Sequence, residues 1–228
     1  MSAVRRSIAE HMAASARTVA PVTLTCEVEA TQLVVLRRQL KEDLSAENNP
    51  IIPTYNDILA KIVAQALMEH PQINARIDGE EIVFFPSAHI GMAVDTPRGL
   101  LVPVLRDVQA KSLRQIAGEA AALIEKTRLG TIAYEDLQDG TFTITNLGMY
   151  EIEAFTPIIN LPQCAILGVG QIIPKQVVVD AELEKVAIQQ RMALSLTFDH
   201  RLVDGAQAAR FLQRSKRLIE KPYLWLAG

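Results

Sequence analysis

The chain has 228 residues, 49% hydrophobic and 21% charged, with a formal net charge of −3. That length buries a full-sized core, and the balance is that of an ordinary globular protein. The slight negative charge gives no electrostatic footprint for nucleic acid or an anionic membrane. No apolar run reaches the roughly 18 residues that span a bilayer, and Arg5-Arg6 are not followed by the apolar stretch of a secretory signal.

Val4, Ile8, Met12 and Ala16 recur at helical spacing, which predicts a helix over 4–17. Pro21 ends it, and Val22, Leu24, Cys26 and Val28 then alternate with polar residues as in a half-buried strand. Thr31 is placed to cap a second helix reaching Leu44. A polar loop over 45–50 follows. Thr54 with Asp57 forms a capping-box pattern for a helix from Tyr55 to Glu69, apolar over much of its surface and so expected to be central.

Asp78-Gly79 reads as a tight turn between strands at 75–77 and 82–85. Further strands are expected over 90–94 and 100–105. Ser112 with Gln115 opens a long helix ending near Gly130. Gly140 to Gly148 reads as a strand breaking into a turn. Residues 165–169 form a short apolar strand, and 177–179 with 186–188 form a hairpin. Met192, Leu194, Leu196 and Phe198 make a further strand. Ala208, Phe211, Leu212, Ser215, Leu218 and Ile219 mark the last helix. With no internal repeat or dividing linker, the expectation is a single α/β domain over 1–228, a mixed β-sheet packed by helices.

Cys26 and Cys164 form no CxxC pair, and His11, His70, His89 and His200 show no zinc spacing, so no metal site is expected. His200 lies between a strand and a helix, with Asp199, Arg201 and Asp204 around it. A histidine there is more often structural than catalytic, and Asp204 is also a natural helix N-cap. Without a GxSxG serine or an activated cysteine, His200 suits general-base work on a substrate thiol or hydroxyl. Acyl transfer of that kind also needs a donor for the oxyanion, and the turn of Thr143 to Asn146 offers hydroxyls.

Phe198-Asp199-His200-Arg201-Leu202-Val203-Asp204-Gly205 resembles the HxxxDG signature of the dihydrolipoamide acyltransferases, the catalytic domains of 2-oxo acid dehydrogenase complexes, which share the chloramphenicol acetyltransferase fold. Val4 to Met12, Thr54 to Ile58, His89 to Thr96, Gly99 to Pro103 and Gly140 to Gly148 resemble the same family in order and spacing. The resemblance implies that His200 takes the proton from the coenzyme A thiol, that Thr145 stabilises the oxyanion, and that Asp204 orders the site with Arg5 as its partner. It implies coenzyme A contacts at Arg37, Thr54, Asp95, Asn146, Gly170 and Ile172. It also implies a homotrimer, with the site between subunits, building a larger cage that works with a lipoyl domain and the E1 and E3 components.

Full-length members carry lipoyl and peripheral-subunit-binding domains. Neither fits before Met1, so the expectation is a catalytic core whose lipoamide is carried on a separate domain. The cytoplasm of a bacterium or archaeon is the expected location, with the mitochondrial matrix as the other compartment. A chloramphenicol acetyltransferase-like O-acyltransferase and a non-catalytic structural core are the alternatives.

Overall fold

The computed structural model describes residues 1, 3–48 and 50–226. The chain opens with helix α1 (Ala3–Thr18), strand β1 (Pro21–Glu29) and helices α2 (Thr31–Leu44) and α3 (Tyr55–Glu69). Strands β2 (Ala75–Asp78), β3 (Glu81–Phe84), β4 (Ile90–Met92) and β5 (Val104–Leu105) follow, then helix α4 (Leu113–Leu129). Strands β6 (Phe142–Asn146), β7 (Ala165–Val169), β8 (Ile173–Asp180) and β9 (Lys185–Asp199) lead into α5 (Gly205–Glu220) and the short α6 (Tyr223–Leu226). Among the described residues, no helix is long and apolar enough to cross a membrane.

Seven strands form one sheet in the order β1-β9-β7-β6-β4-β5, with β8 also paired to β9. The β4–β6 and β6–β7 pairs are parallel and the rest antiparallel, so the expected mixed α/β sheet is present. Strand alternation divides its side chains between two faces. Phe142, Ile144, Leu167, Val169, Leu194, Leu196 and Phe198 are buried in the same core as α3 and α5. The other face carries hydroxyls in register. Thr145, Gly168, Ser195 and Thr25 form one row across four strands, and Thr143, Ile166, Thr197 and Thr23 form the next. Thr23 bonds Thr197 at 2.8 Å and Thr25 bonds Ser195 at 3.2 Å.

The helices start and stop where local chemistry dictates. Thr54 accepts from the Asp57 N–H, and the Asp57 carboxylate accepts from the Thr54 N–H at 2.7 Å, closing the capping box of α3. Ser112 and Gln115 do the same for α4, and Gly130 ends that helix with φ at 73°. The α5 stripe buries the six residues that its periodicity marks, Ala208, Phe211, Leu212, Ser215, Leu218 and Ile219. Phe211 is fully buried, with ring centroids 5.7 Å from Phe142 and 6.0 Å from His70. Phe211→Ala leaves a cavity between helix and sheet, with an expected loss of about 3–5 kcal/mol, read as a lower urea midpoint with the slope unchanged.

Five expectations are corrected. Thr31 is the first residue of α2, not its cap. Ala30 holds the N-cap position without a side-chain bond, and the Thr31 hydroxyl accepts from the Gln190 N–H at 3.2 Å instead. The turn of the β2–β3 hairpin is Gly79-Glu80, because Asp78 still pairs with Glu81. The strand expected over 90–94 stops at Met92, with Val94 surviving as a single bridge to Leu101. The strand expected over 100–105 is reduced to Val104–Leu105. The strands at 186–188 and 192–198 are one, because β9 runs unbroken for 15 residues and changes partners from β8 to β7 along one side.

Candidate active site

Burial and bonding separate the four histidines. His11 bonds Asn160 at 3.0 Å, and His89 accepts the Asp107 N–H at 3.0 Å on its Nδ1. The His70 ring stands edge-on to Phe211, and burial pushes its pKa below the usual value. His200 differs. It is exposed at the end of β9, and among the described residues its ring nitrogens have no hydrogen-bond partner. Its backbone N–H donates to the Ala20 carbonyl at 2.9 Å, and its ring lies 5.8 Å from that of Phe198. An imidazole fixed by its backbone with free nitrogens can accept a proton from a substrate.

Asp204 takes the N-cap position of α5, and its backbone N–H donates to Gln207 Oε1 at 3.1 Å. The carboxylate beside His200 on the other side is more deeply placed. Asp199 is 2% exposed. Burial alone would raise its pKa, but hydrogen bonds from Arg201 and from the Ala20 N–H hold it below the usual carboxylate range. The Cys164 thiol nearby is pushed up to about 12 by burial and by Asp199. It stays protonated at neutral pH and is no nucleophile.

A cleft of about 350 Å³ opens between α3 and the ends of β6 and β7. Thr54, Asn146, Gly170 and Ile172 line it, with Leu59, Met149, Val169 and Met192. Asn146 ties two of its walls together, donating to Asn56 Oδ1 at 2.7 Å while accepting the Gly148 N–H at 2.8 Å. Gly170 is dictated by close backbone approach, since a Cβ there would sit 1.8 Å from the Glu153 carbonyl oxygen. Four of the six positions expected to contact coenzyme A therefore fall in one place.

The other two do not line that cleft. Arg37 lies half-buried on α2, and Asp95 is exposed in the loop after β4. Asp95 still belongs to the same end of the sheet, because Met92 pairs with Ile144 and the Ala93 N–H donates to the Ile144 carbonyl at 3.1 Å. Tyr55, Asn56, Met149, Gln171 and Met192 line the cleft and were missed by sequence reasoning. The cap at Thr54 was the one signal that placed Tyr55 and Asn56 at the start of a helix.

Thr145 is half-buried and points to the face opposite Asn146, its neighbour in β6. It is not brought to His200. Thr145 is in register with Gly168 and Ser195, and His200 lies five residues beyond Ser195, roughly 16 Å along the strand and about 10 Å across it. Arg5 and Asp204 belong to different helices. Arg5 is exposed on α1, roughly 20 Å up the helix from Thr18. That helix crosses the hydroxyl-bearing face, where His11 bonds Asn160 and Ser15 bonds the Ile159 carbonyl at 2.6 Å. Asp204 starts a helix on the opposite face. Among the described residues, no group of three or more His, Cys, Asp or Glu is placed to hold a metal ion.

A mixed sheet with helices on its core face and a histidine leaving its longest strand define the chloramphenicol acetyltransferase-like fold. A chloramphenicol acetyltransferase superposes with a TM-score of 0.56 at 12% identity over 92% of this chain and 94% of its own, a likeness of fold alone. The family profile described as 2-oxoacid dehydrogenases acyltransferase (catalytic domain) matches residues 1–227, and the chain belongs to that family. It is 40% identical over 228 residues to the dihydrolipoyllysine-residue acetyltransferase component of the pyruvate dehydrogenase complex of Bacillus subtilis, covering 99% of this chain and 50% of the relative. It is 39% identical over 222 residues to the succinyltransferase component of the 2-oxoglutarate dehydrogenase complex of Bartonella vinsonii, covering 97% and 53%.

The chain thus spans about half the length of these curated relatives. A dihydrolipoamide acetyltransferase from Azotobacter vinelandii superposes with a TM-score of 0.93 at 35% identity over 99% of this chain and 92% of its own. That structure addressed the role of a serine, a histidine and an asparagine in the catalytic mechanism.

Proposed function

We propose that this chain is an acyltransferase domain moving an acyl group between dihydrolipoamide and coenzyme A, with its site completed by a second copy. The observation that carries this reading is His200, whose ring nitrogens have no hydrogen-bond partner among the described residues, at the end of β9 in an HxxxDG setting. In the Azotobacter relative the histidine and asparagine are four positions apart, the spacing of His200 and Asp204.

In this mechanism His200 accepts the proton of the coenzyme A thiol. The thiolate adds to the carbonyl carbon of the acyl-dihydrolipoamide, and the Thr145 hydroxyl donates to the resulting oxyanion. Collapse breaks the bond to the lipoyl sulfur, which recovers the proton from His200. Thr54, Asn146, Gly170 and Ile172 fit the narrow, amide-bearing arm of coenzyme A, since their cleft combines apolar walls with amide side chains. Asp95 borders that end of the sheet, and Arg37 is assigned to coenzyme A by its family-like position alone. The lipoyl group arrives on a separate domain.

The separation of His200 from Thr145 within one chain supports a site built between copies. A reacting atom must lie within about 3 Å of the base that serves it, and the strand register leaves the two groups several times farther apart. A closed trimer, in which each interface contributes one histidine and one threonine, satisfies this with identical contacts. Asp204 orders the site, with Arg5 as its proposed partner. The relatives are components of multienzyme complexes, which supports a cage of trimers working beside E1 and E3 components, and their bacterial origin supports a cytoplasmic location.

The test is a rate comparison with acetyl-, succinyl- and isobutyryl-coenzyme A against dihydrolipoamide and against a small alcohol. Transfer to the dithiol from one of the three, with none to the alcohol, is the expected result. Transfer to the alcohol alone would sink the assignment.

A further inference from the structure

The loop that carries His200 is held by a carboxylate that the proposed mechanism does not use. Asp199 precedes His200, is 2% exposed, and is surrounded by donors. Its Oδ1 accepts from the Ala20 N–H at 3.2 Å, the Arg201 N–H at 3.1 Å and Arg201 Nε at 3.0 Å. Its Oδ2 accepts from Arg201 Nε at 3.0 Å and Nη2 at 2.6 Å. Ala20 replies in the other direction, its carbonyl accepting the His200 N–H at 2.9 Å.

Further bonds pin the same short segment. The Asp199 N–H donates to the Cys164 carbonyl at 2.9 Å, and the Leu202 and Val203 N–H groups donate to the Asp199 carbonyl at 3.0 and 3.2 Å. The peptide units on both sides of His200 are thus tied down, while its ring nitrogens have no partner among the described residues.

We propose that the Asp199–Arg201 pair is the positioning device for His200, fixing the direction in which the imidazole leaves β9. This rests on the reading of His200 as the base. A carboxylate so deeply placed needs a matching cation, and Arg201 supplies a planar fork that a lysine cannot copy. Asp204 does a different job. It is exposed, and its backbone bond runs forward into α5 through Gln207. Without Arg201 the Asp199 carboxylate keeps only the Ala20 and Arg201-position backbone donors, and the strap on His200 loosens. Neither residue touches substrate, so the device acts through His200 alone.

Arg201→Gln and Arg201→Lys test this in the intact assembly. Misplacing a base by about 1 Å costs roughly 10²-fold in rate, so Arg201→Gln is expected to lower kcat by about that factor. KM for coenzyme A stays within about twofold, because the cleft meets β9 only at Met192, eight residues before His200. Arg201→Lys is expected to recover about tenfold of the loss, since it restores the charge without the fork.

Hydrogen exchange read by mass spectrometry over residues 196–204 gives an activity-independent measure. Arg201→Gln speeds exchange there by about tenfold or more. An unchanged kcat, an unchanged exchange rate, or equal losses in kcat and coenzyme A affinity would each overturn the proposal. A wild-type chain that transfers no acyl group, yet loosens over 196–204 in Arg201→Gln, would instead overturn the reading of His200 and leave the strap standing.

Discussion

Replacing His200 by alanine is expected to lower acyl transfer from coenzyme A to dihydrolipoamide by about 10²–10⁴-fold, the range that a positioned general base contributes. His200 is exposed and joins the fold through its backbone N–H and a ring contact with Phe198, so the variant keeps its structure. Its loss falls on kcat, because the cleft holding Thr54, Asn146 and Gly170 is untouched. The other histidines serve as controls. His11 and His89 each commit one ring nitrogen, to Asn160 and to the Asp107 N–H, and their removal leaves the pH profile of kcat as it was. Steady-state rates over pH 6–9 decide this. A His200→Ala chain that turns over within a few-fold of wild type would remove the base from the mechanism.

The second large effect is expected at Thr145. Removing one donor to an oxyanion costs about 10²–10³-fold in kcat, so Thr145→Ala falls by that factor. Thr145→Ser keeps the hydroxyl and most of the rate. Its decisive form is a mixture. His200→Ala chains retain Thr145, and Thr145→Ala chains retain His200. Where each site draws its base and its donor from different copies, random mixing of equal amounts restores roughly a quarter of the sites. Where one chain holds both, no mixture recovers activity. Unfolding and refolding the two variants together, then measuring the rate against each alone, separates the outcomes. Full inactivity of the mixture would show that the register distance between His200 and Thr145 is bridged within the chain.

Much of this molecule is legible in local chemistry. The stripe from Ala208 to Ile219 names its own buried face, because a helix repeats every 3.6 residues whatever it packs against. The capping boxes at Thr54 and Ser112 mark helix starts for a similar reason, since each is satisfied within four residues. Thr31 shows where such reasoning ends. Its hydroxyl is equally able to cap α2 or to accept from a neighbouring strand, and the proximity of Gln190 in β9 decides for the strand. The unbroken 15-residue β9 escaped notice because its partner changes midway, and a change of partner leaves no local trace.

His200, Asp204 and Thr145 could be named from the sequence as chemistry-bearing types in a family-like setting. Their types and spacing are written in the chain, and so are the caps and periods that make the strand before His200 and the helix after it. The tertiary structure alone decided where they stand. Register is long-range information, so only the pairing of β6 with β7, and of β7 with β9, shows that Thr145 and His200 lie far apart. Burial is likewise a property of the whole fold. Only there does Asp199, one charged residue among several around His200, become a carboxylate 2% exposed and clasped by Arg201. A charge withdrawn from water must find its partner in three dimensions, and the sequence lists the charges without saying which of them water has left.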